Sequence, residues 1–152
     1  MSTPEQRLEE LGLAVPEVAA PVAAYVPAVR SGDHVFTSGQ LPLRDGSLVT
    51  TGKVGAEVSL EDAVECAEQC ALNAIAAVRA EVGELSAVKR VVKVVAFVAS
   101  APDFTAQPKV ANGASELLGK VFGDAGVHAR SAVGVAALPL DAPVEVEITV
   151  EV

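Results

Sequence analysis

Residues 128–152 read HARSAVGVAALPLDAPVEVEITVEV, and this stretch carries the clearest structural signal in the chain. From Val144 to Val152, valine or isoleucine alternates with glutamate or threonine, as in a strand with one buried and one polar face. A weaker alternation runs from Arg130 to Ala137. The intervening Leu-Pro-Leu-Asp-Ala-Pro can turn the chain, so the pattern predicts a β-hairpin.

Arg130 is the residue of this stretch with a possible chemical role. On a strand it shares a face with Ala132 and Gly134, which leave space beside the guanidinium. A guanidinium in a recess can grip a carboxylate or phosphate through two parallel hydrogen bonds. The alternative is a strand-edge arginine that pairs with a nearby glutamate or lies in solvent, and spacing alone favours it because most arginines are surface residues.

Length and composition indicate one domain with an aliphatic core. The chain has 152 residues, 51% of them hydrophobic but only 3% aromatic, so Val, Ala and Leu must fill the core. The formal net charge of −9 makes nucleic acid an unexpected partner. No apolar run approaches the roughly 20 residues of a membrane span, and the first residues do not resemble a signal peptide, so we expect a cytoplasmic protein without membrane contact.

The two cysteines do not indicate a metal or redox site. Cys66 and Cys70 lie four residues apart in a helical pattern, which is neither a CxxC motif nor a complete ligand set. Only His34 and His128 could join them, and both lie far away in the sequence. We expect reduced, partly buried structural thiols and no metal, and the glycines lack the spacing of a phosphate loop.

The remaining elements predict an α+β fold. We expect a helix at 3–11 and a connector at 13–22, which together make up an N-terminal segment, 1–23, before a single domain at 24–152. That domain begins with strands at 24–30 and 34–38 around the turn Ser31-Gly32-Asp33 and a short strand at 48–50. A long helix follows from Ser59 to Gly83, then a strand buried on both faces at 88–100 and a helix from 107 or 108 to 122.

Two helices on one face of a mainly antiparallel sheet leave the other face open, which predicts an oligomer. The polar face of the long helix is interpreted as a solvated surface made of Glu61, Glu65, Glu68, Gln69 and Arg79. Gly39, at the end of the second strand, marks either a bulge with a close backbone approach or an ordinary strand end.

Six strings occur together in order along the chain. They are Tyr25-Val26-Pro27-Ala28-Val29, Thr37-Ser38-Gly39-Gln40-Leu41-Pro42, Asp103-Phe104, Ala129-Arg130-Ser131, Leu138-Pro139 and Val144-Glu145-Val146-Glu147. Their combination, from Ala24 to Val152, resembles the RidA (YjgF) family of reactive-intermediate deaminases, with the N-terminal segment as an extension.

The resemblance implies a chorismate-mutase-like fold and a homotrimer with clefts between subunits that bind small carboxylates. It also implies hydrolysis of 2-imino or enamine acids, such as 2-aminoacrylate, to 2-keto acids and ammonia without a cofactor. The chemistry fits, because an imine carbon is already electrophilic and needs only orientation, a placed water and a proton shuttle.

The resemblance also implies roles for individual residues. Arg130 matches the arginine that grips the substrate carboxylate, and Glu145 the glutamate that positions the attacking water. Tyr25 matches a tyrosine that lines the cleft, and Gly39 a glycine whose backbone meets the ligand. Ala132 stands where the family has a cysteine, and its backbone N–H can serve the carboxylate in the same way.

Two of these positions have an alternative interpretation. The chain also departs from the family pattern at several places. Glu145 is otherwise one more polar-face glutamate, and Tyr25 an interface packing residue. The departures are Ala132, Gly134 in place of a glutamate, and the segments Gln107-Pro108-Lys109 and Asn112-Gly113-Ala114-Ser115. We expect them to reshape the cleft and so to affect the choice of substrate rather than the fold.

Two other function classes remain open. The same pocket can hold a keto acid without turnover, as a small-carboxylate-binding or regulatory protein. An endoribonuclease description also accompanies the superfamily, and the net charge of −9 ranks it third.

Overall fold

A computed structural model describes residues 2–20 and 24–152 and contains three α-helices and seven strands in those ranges. The helices are α1 (Pro4–Glu10), α2 (Leu60–Val82) and α3 (Gln107–Phe122). The strands are β1 (Ala28–Ser31), β2 (His34–Thr37), β3 (Leu43–Arg44), β4 (Ser47–Leu48), β5 (Arg90–Ala99), β6 (Ala129–Val135) and β7 (Val144–Glu151).

Five strands form the main sheet, in the order β1-β2-β7-β5-β6. All neighbours are antiparallel except β5 and β6, which α3 connects as a parallel pair. Val94 and Ile148 face each other across β5 and β7 and are buried with α2 and α3 in one core. The predicted α+β architecture, with its helices on one face of the sheet, is therefore confirmed.

The predicted hairpin between β6 and β7 is wrong, because β5 lies between these two strands. The parallel β5 and β6 end at the same edge of the sheet, and β7 starts there in the opposite direction. The connection at 136–143 therefore crosses the end of β5, and β7 then pairs with β5 on the side opposite β6. Alternating burial is the same in either arrangement, so the sequence pattern could not separate them.

Side-chain caps and a glycine mark the ends of the helices. Ser59 accepts a hydrogen bond from the backbone N–H of Asp62, and Gly83 ends α2 with φ at 90°. Thr3 and Gln6 form a capping box at the start of α1. Because α1 buries Leu8 in the core, it is packed on the domain rather than left in solvent.

Three local predictions need correction. The short strand predicted at 48–50 is instead the small hairpin β3–β4, whose turn places Asp45 and Gly46 at positive φ. Gln69 lies buried rather than on a solvated face. The strand at 88–100 was predicted to be buried on both faces. In the structure, β5 alternates buried and half-buried residues, since helices cover only one face of the sheet. The connector predicted at 13–22 falls partly on residues 21 and 22, outside the described part of the chain.

The open face of the sheet carries apolar side chains. Val29 on β1 is 52% exposed, Phe36 on β2 47% and Val133 on β6 44%. The centre of the same face is a row of glutamates on β7, beginning with Glu145 and Glu147. No helix in the described ranges is long and apolar enough to cross a membrane.

Two glycines of α3 provide a matched test of the helix layer. A Cβ on Gly113 would collide with the backbone carbonyl of Val64 in α2, whereas a Cβ on Gly119 would meet nothing within 4 Å. We expect Gly113→Ala to lower the free energy of unfolding by about 1–3 kcal/mol. Gly119→Ala should raise it by about 0.5–1 kcal/mol through helix propensity.

Urea denaturation at a fixed protein concentration measures both glycine variants. A Gly113→Ala protein as stable as the parent would contradict the close approach of α2 and α3.

Candidate functional site

A cavity of about 470 Å³ opens at the end of the sheet where β7 begins. It brings together Tyr25, Gly39 and Glu145, three of the residues predicted for the site. Most of the wall is apolar, and the full lining consists of Ala19, Ala20, Tyr25, Pro27, Ser38, Gly39, Gln40, Leu41, Leu43, Pro139 and Glu145. The connector that follows α1 thus borders this cavity through Ala19 and Ala20.

Gly39 lies in a bulge between β2 and β7. Phe36 pairs with Thr149 and Gln40 with Val146, so three residues, 37–39, oppose two, 147–148. A Cβ on Gly39 would lie 2.7 Å from Cδ of Glu145 and still closer to the carboxylate oxygen Oε1. Of the two interpretations of Gly39, the structure therefore shows the bulge with a close approach rather than an ordinary strand end, and the glycine makes room for the Glu145 side chain.

Glu145 is half-buried on the face of β7 that points away from the helices, opposite Phe97 of β5. Burial raises the pKa of this carboxyl group above its ordinary value, and the negative charge of Glu147 adds to the effect. A carboxyl group with a raised pKa can hold a proton closer to neutral pH, which suits acid–base chemistry.

A polar network that the sequence did not reveal supports the cavity wall. The buried Asn73 of α2 donates hydrogen bonds from Nδ2 to the carbonyls of Leu41 (3.0 Å) and Leu43 (2.9 Å), which both line the cavity. Gln69 donates to Oδ1 of Asn73 and accepts from Nε of Arg44. Gln69 and Asn73 lie one turn apart on an otherwise apolar face of α2, and this spacing was the sequence feature that could have indicated the network.

Arg130 lies outside this cavity, on the edge strand β6. Its Nη1 donates to Oδ1 of Asn112 (2.8 Å) and to Oγ of Ser115 (3.1 Å), and Nη2 donates to the carbonyl oxygen of Pro108 (3.3 Å). No Asp or Glu carboxylate of the described residues lies within 4.0 Å of it. The alternative of an arginine paired with a nearby glutamate is therefore not what the structure shows.

The recess expected beside Arg130 is smaller than the sequence indicated. A Cβ on Gly134 would lie 2.7 Å from Nε2 of Gln107, so the Gln107 side chain occupies the space over that glycine. Ala132 lies on the same face and packs against the core. The small residues of β6 therefore accommodate the start of α3 as well as the arginine.

One chain does not bring Arg130 and Glu145 together. Arg130 pairs in register with Val94, which is buried under the helices, whereas Glu145 pairs with Phe97 on the open face. Because successive strand residues point to opposite faces, the two side chains lie on opposite sides of the sheet. The predicted site residues thus form two separate groups.

Cys66 and Cys70 are free thiols, as predicted, but they are fully rather than partly buried. Burial, with smaller contributions from Glu65 and Asp62, raises the pKa of Cys66 to about 11, and burial raises that of Cys70 well above its ordinary value. Both therefore remain protonated and unreactive. Within residues 2–20 and 24–152, no group of three or more His, Cys, Asp or Glu side chains is arranged to hold a metal ion.

Comparisons with known proteins place the chain among close relatives. The family model described as "YjgF/chorismate mutase-like, putative endoribonuclease" matches residues 5–152. Protein TCP17 of Trypanosoma cruzi is 48% identical over 145 residues, covering 95% of this chain and 91% of that protein.

Two solved structures extend the likeness to the fold. Atu1372 from Agrobacterium tumefaciens is 45% identical with a TM-score of 0.91, and the match covers 99% of this chain and 92% of that one. A Shewanella oneidensis MR-1 protein with the same endoribonuclease description is 34% identical with a TM-score of 0.97, covering 99% and 100%.

The raised pKa of Glu145 predicts a pH-dependent effect on stability. In the unfolded chain this carboxyl ionises near its ordinary pKa of about 4.3. Folding therefore disfavours the ionised form, with a penalty that is absent below that value and grows as the pH rises through the folded pKa. We expect Glu145→Gln to be more stable than the parent at pH 7, with the advantage fading near pH 4.

Urea denaturation at the two pH values tests this expectation, with the exposed Glu116→Gln as control. An advantage for Glu145→Gln that is larger at pH 4 than at pH 7 would rule out the assigned pKa direction.

Proposed function

Because the chain belongs to the YjgF family, also called RidA, we propose that it hydrolyses 2-imino and enamine acids to 2-keto acids and ammonia. The main support for this proposal is the charge of Arg130, which no described carboxylate balances. Three neutral oxygen atoms hold its guanidinium, and no described carboxylate neutralises it, although the chain has 20 acidic residues. Such a cation is available to an anionic ligand.

The guanidinium also keeps suitable donors. It has five N–H groups, and the three hydrogen bonds to Asn112, Ser115 and Pro108 use two on Nη1 and one on Nη2. The remaining two are Nε–H and one Nη2–H, on neighbouring nitrogens. A carboxylate bound by both would be fixed in position and orientation.

Glu145 supplies the acid–base group of the proposed reaction. Its ionised carboxylate accepts a proton from water as the water oxygen bonds to the imine carbon. The resulting carboxylic acid returns the proton to the nitrogen, which gives a tetrahedral carbinolamine. The carboxylate then takes the hydroxyl proton of this intermediate and delivers it to the amino nitrogen, so that the C–N bond breaks, ammonia leaves and the C=O bond forms. A raised pKa supports both steps, because the group must accept and then release a proton near neutral pH.

The proposal requires two copies of the chain at each site. Since Arg130 and Glu145 lie on opposite faces of the sheet, a substrate can meet both only if they come from different subunits. The exposed Val29, Phe36 and Val133 offer apolar area for association of the open faces. A homotrimer with a site at each interface, as in the family resemblance, is the proposed assembly.

The endoribonuclease description given to the family and to the Shewanella oneidensis protein is less suited to this chain. A net charge of −9 opposes a polyanion, since RNA binding depends on basic groups that release counterions. The cavity walls are mainly aliphatic and offer no aromatic stacking surface beyond Tyr25. A small apolar acid matches this lining better.

The direct test measures keto acid and ammonia released from 2-aminoacrylate or 2-iminobutanoate generated in situ. We expect the protein to accelerate both, and Arg130→Ala to lower kcat/KM by at least about 100-fold, because a charge-assisted bidentate contact is lost. Arg79→Ala, at the exposed end of α2, is the matched control. Ligand binding without ammonia release would move the protein to the non-catalytic class.

The pH profile of kcat/KM tests the role of Glu145. Activity should fall on the acidic side as Glu145 takes up a proton. Glu147→Gln removes the like charge that helps raise the pKa of Glu145, so it should move this limb to lower pH. Glu145→Gln should abolish turnover, while Glu116→Gln should leave the limb in place. A limb unmoved by Glu147→Gln would exclude Glu145 as its origin.

A further inference from the structure

A chain of hydrogen bonds behind Arg130 fixes the direction of each donor. Nδ1 of His128 lies 2.6 Å from the carbonyl oxygen of Gly126. A carbonyl only accepts, so Nδ1 carries the hydrogen, and in this Nδ1–H tautomer Nε2 is the acceptor. Nε2 lies 2.9 Å from Oγ of Ser115, which therefore donates its hydrogen to the ring.

The orientation of the Ser115 hydroxyl makes its oxygen an acceptor for Arg130. With its hydrogen directed to His128, the Ser115 oxygen presents lone pairs to the guanidinium, and Nη1 donates to it over 3.1 Å. The last acceptor in this series of hydrogen bonds, the Gly126 carbonyl, is fixed as well. Gly126 is buried and lies so close to α3 that a Cβ there would collide with the carbonyl of Leu118. The acceptor for Arg130 is thus held through His128 by the packed end of α3.

Asn112 and Pro108 complete the arrangement from the first turns of α3. Oδ1 of Asn112 makes the shortest of the three hydrogen bonds to Arg130, at 2.8 Å. The Pro108 carbonyl follows Gln107, whose Nε2 donates to the carbonyl of Phe104 (2.9 Å) and to Oγ of Ser100 (3.2 Å). Pro108, Asn112 and Ser115 belong to the segments that depart from the family pattern, and all three accept hydrogen bonds from Arg130.

We propose that Asn112, Ser115 and His128 are positioning residues that set Arg130 to receive the substrate carboxylate. This inference rests on the proposed function. The three residues fix the guanidinium before the ligand arrives, so less side-chain entropy is lost on binding. The oxygen atoms of Asn112 and Ser115 that accept hydrogen bonds from Arg130 are uncharged, so they orient the guanidinium without neutralising it. A carboxylate at the same place would orient Arg130 equally well but compete with the substrate.

Asn112→Asp separates these two effects. The substitution keeps the shape and the acceptor oxygen of residue 112 but adds a negative charge beside Nη1. We expect KM for 2-iminobutanoate, and Kd for the unreactive probe 2-oxobutanoate, to rise about tenfold or more, with kcat changed less than about twofold. The thermal midpoint should stay level or rise, because Arg130 gains an ion pair. A purely structural role would leave KM and Kd unchanged.

Ser115 and His128 are tested by rescue. Ser115→Ala removes one acceptor and should raise KM and Kd about threefold to tenfold, while Ser115→Thr retains the hydroxyl and should restore most of the loss. His128→Phe, which cannot accept the Ser115 hydrogen, should produce a change of similar size. Ser86→Ala is the matched control. Ser86 is exposed in the short 3-10 helix Leu85–Ala87, outside the cluster around Arg130, so this variant should behave as the parent.

The outcomes distinguish this inference from the proposed function. Loss of activity in Arg130→Ala together with unchanged KM and Kd in Asn112→Asp and Ser115→Ala would overturn the positioning role alone. A fall in kcat without a rise in KM would overturn it too. Unchanged activity in Arg130→Ala would remove the proposed function and the positioning role with it. If Ser115→Ala fails to fold, Asn112→Asp still decides.

Discussion

The pairing of β7 with β5 is the interaction on which the rest of the structure depends. It places Val144, Val146 and Ile148 in the core under the helices and turns the intervening glutamates to the open face. The other edge of β7 receives β2 through the bulge at Gly39, which leaves room for Glu145. One strand thus anchors the core and carries the acid–base group of the proposed site.

The edge strand β6 has the complementary role. Its parallel alignment with β5 requires a helical crossover, and that helix, α3, supplies every hydrogen-bond acceptor found for Arg130. The small residues on the same face, Ala132 and Gly134, allow α3 to lie close to the strand. The topology therefore separates an uncompensated cation from a half-buried carboxyl group, and the proposed reaction needs both.

Sequence patterns predicted most elements but not their spatial neighbours. The ends of α2 and the alternation in β7 are determined by residues close together in the sequence, so they could be recognised. The order of β5, β6 and β7 depends on contacts distant in sequence, and the predicted hairpin failed for that reason. Gln69 was placed in solvent because its hydrogen-bond partners, Asn73 and Arg44, become its neighbours only after folding. The acceptors of Arg130 were missed for the same reason.

The central claim is that each active site combines Arg130 of one subunit with Glu145 of another. Co-expression of Arg130→Ala and Glu145→Gln with different tags, followed by purification through both tags, isolates mixed assemblies. In a cyclic trimer every mixed assembly has one site with both native residues, so we predict about one third of the parental imine hydrolysis. Mixed assemblies as inactive as either variant alone would contradict the account.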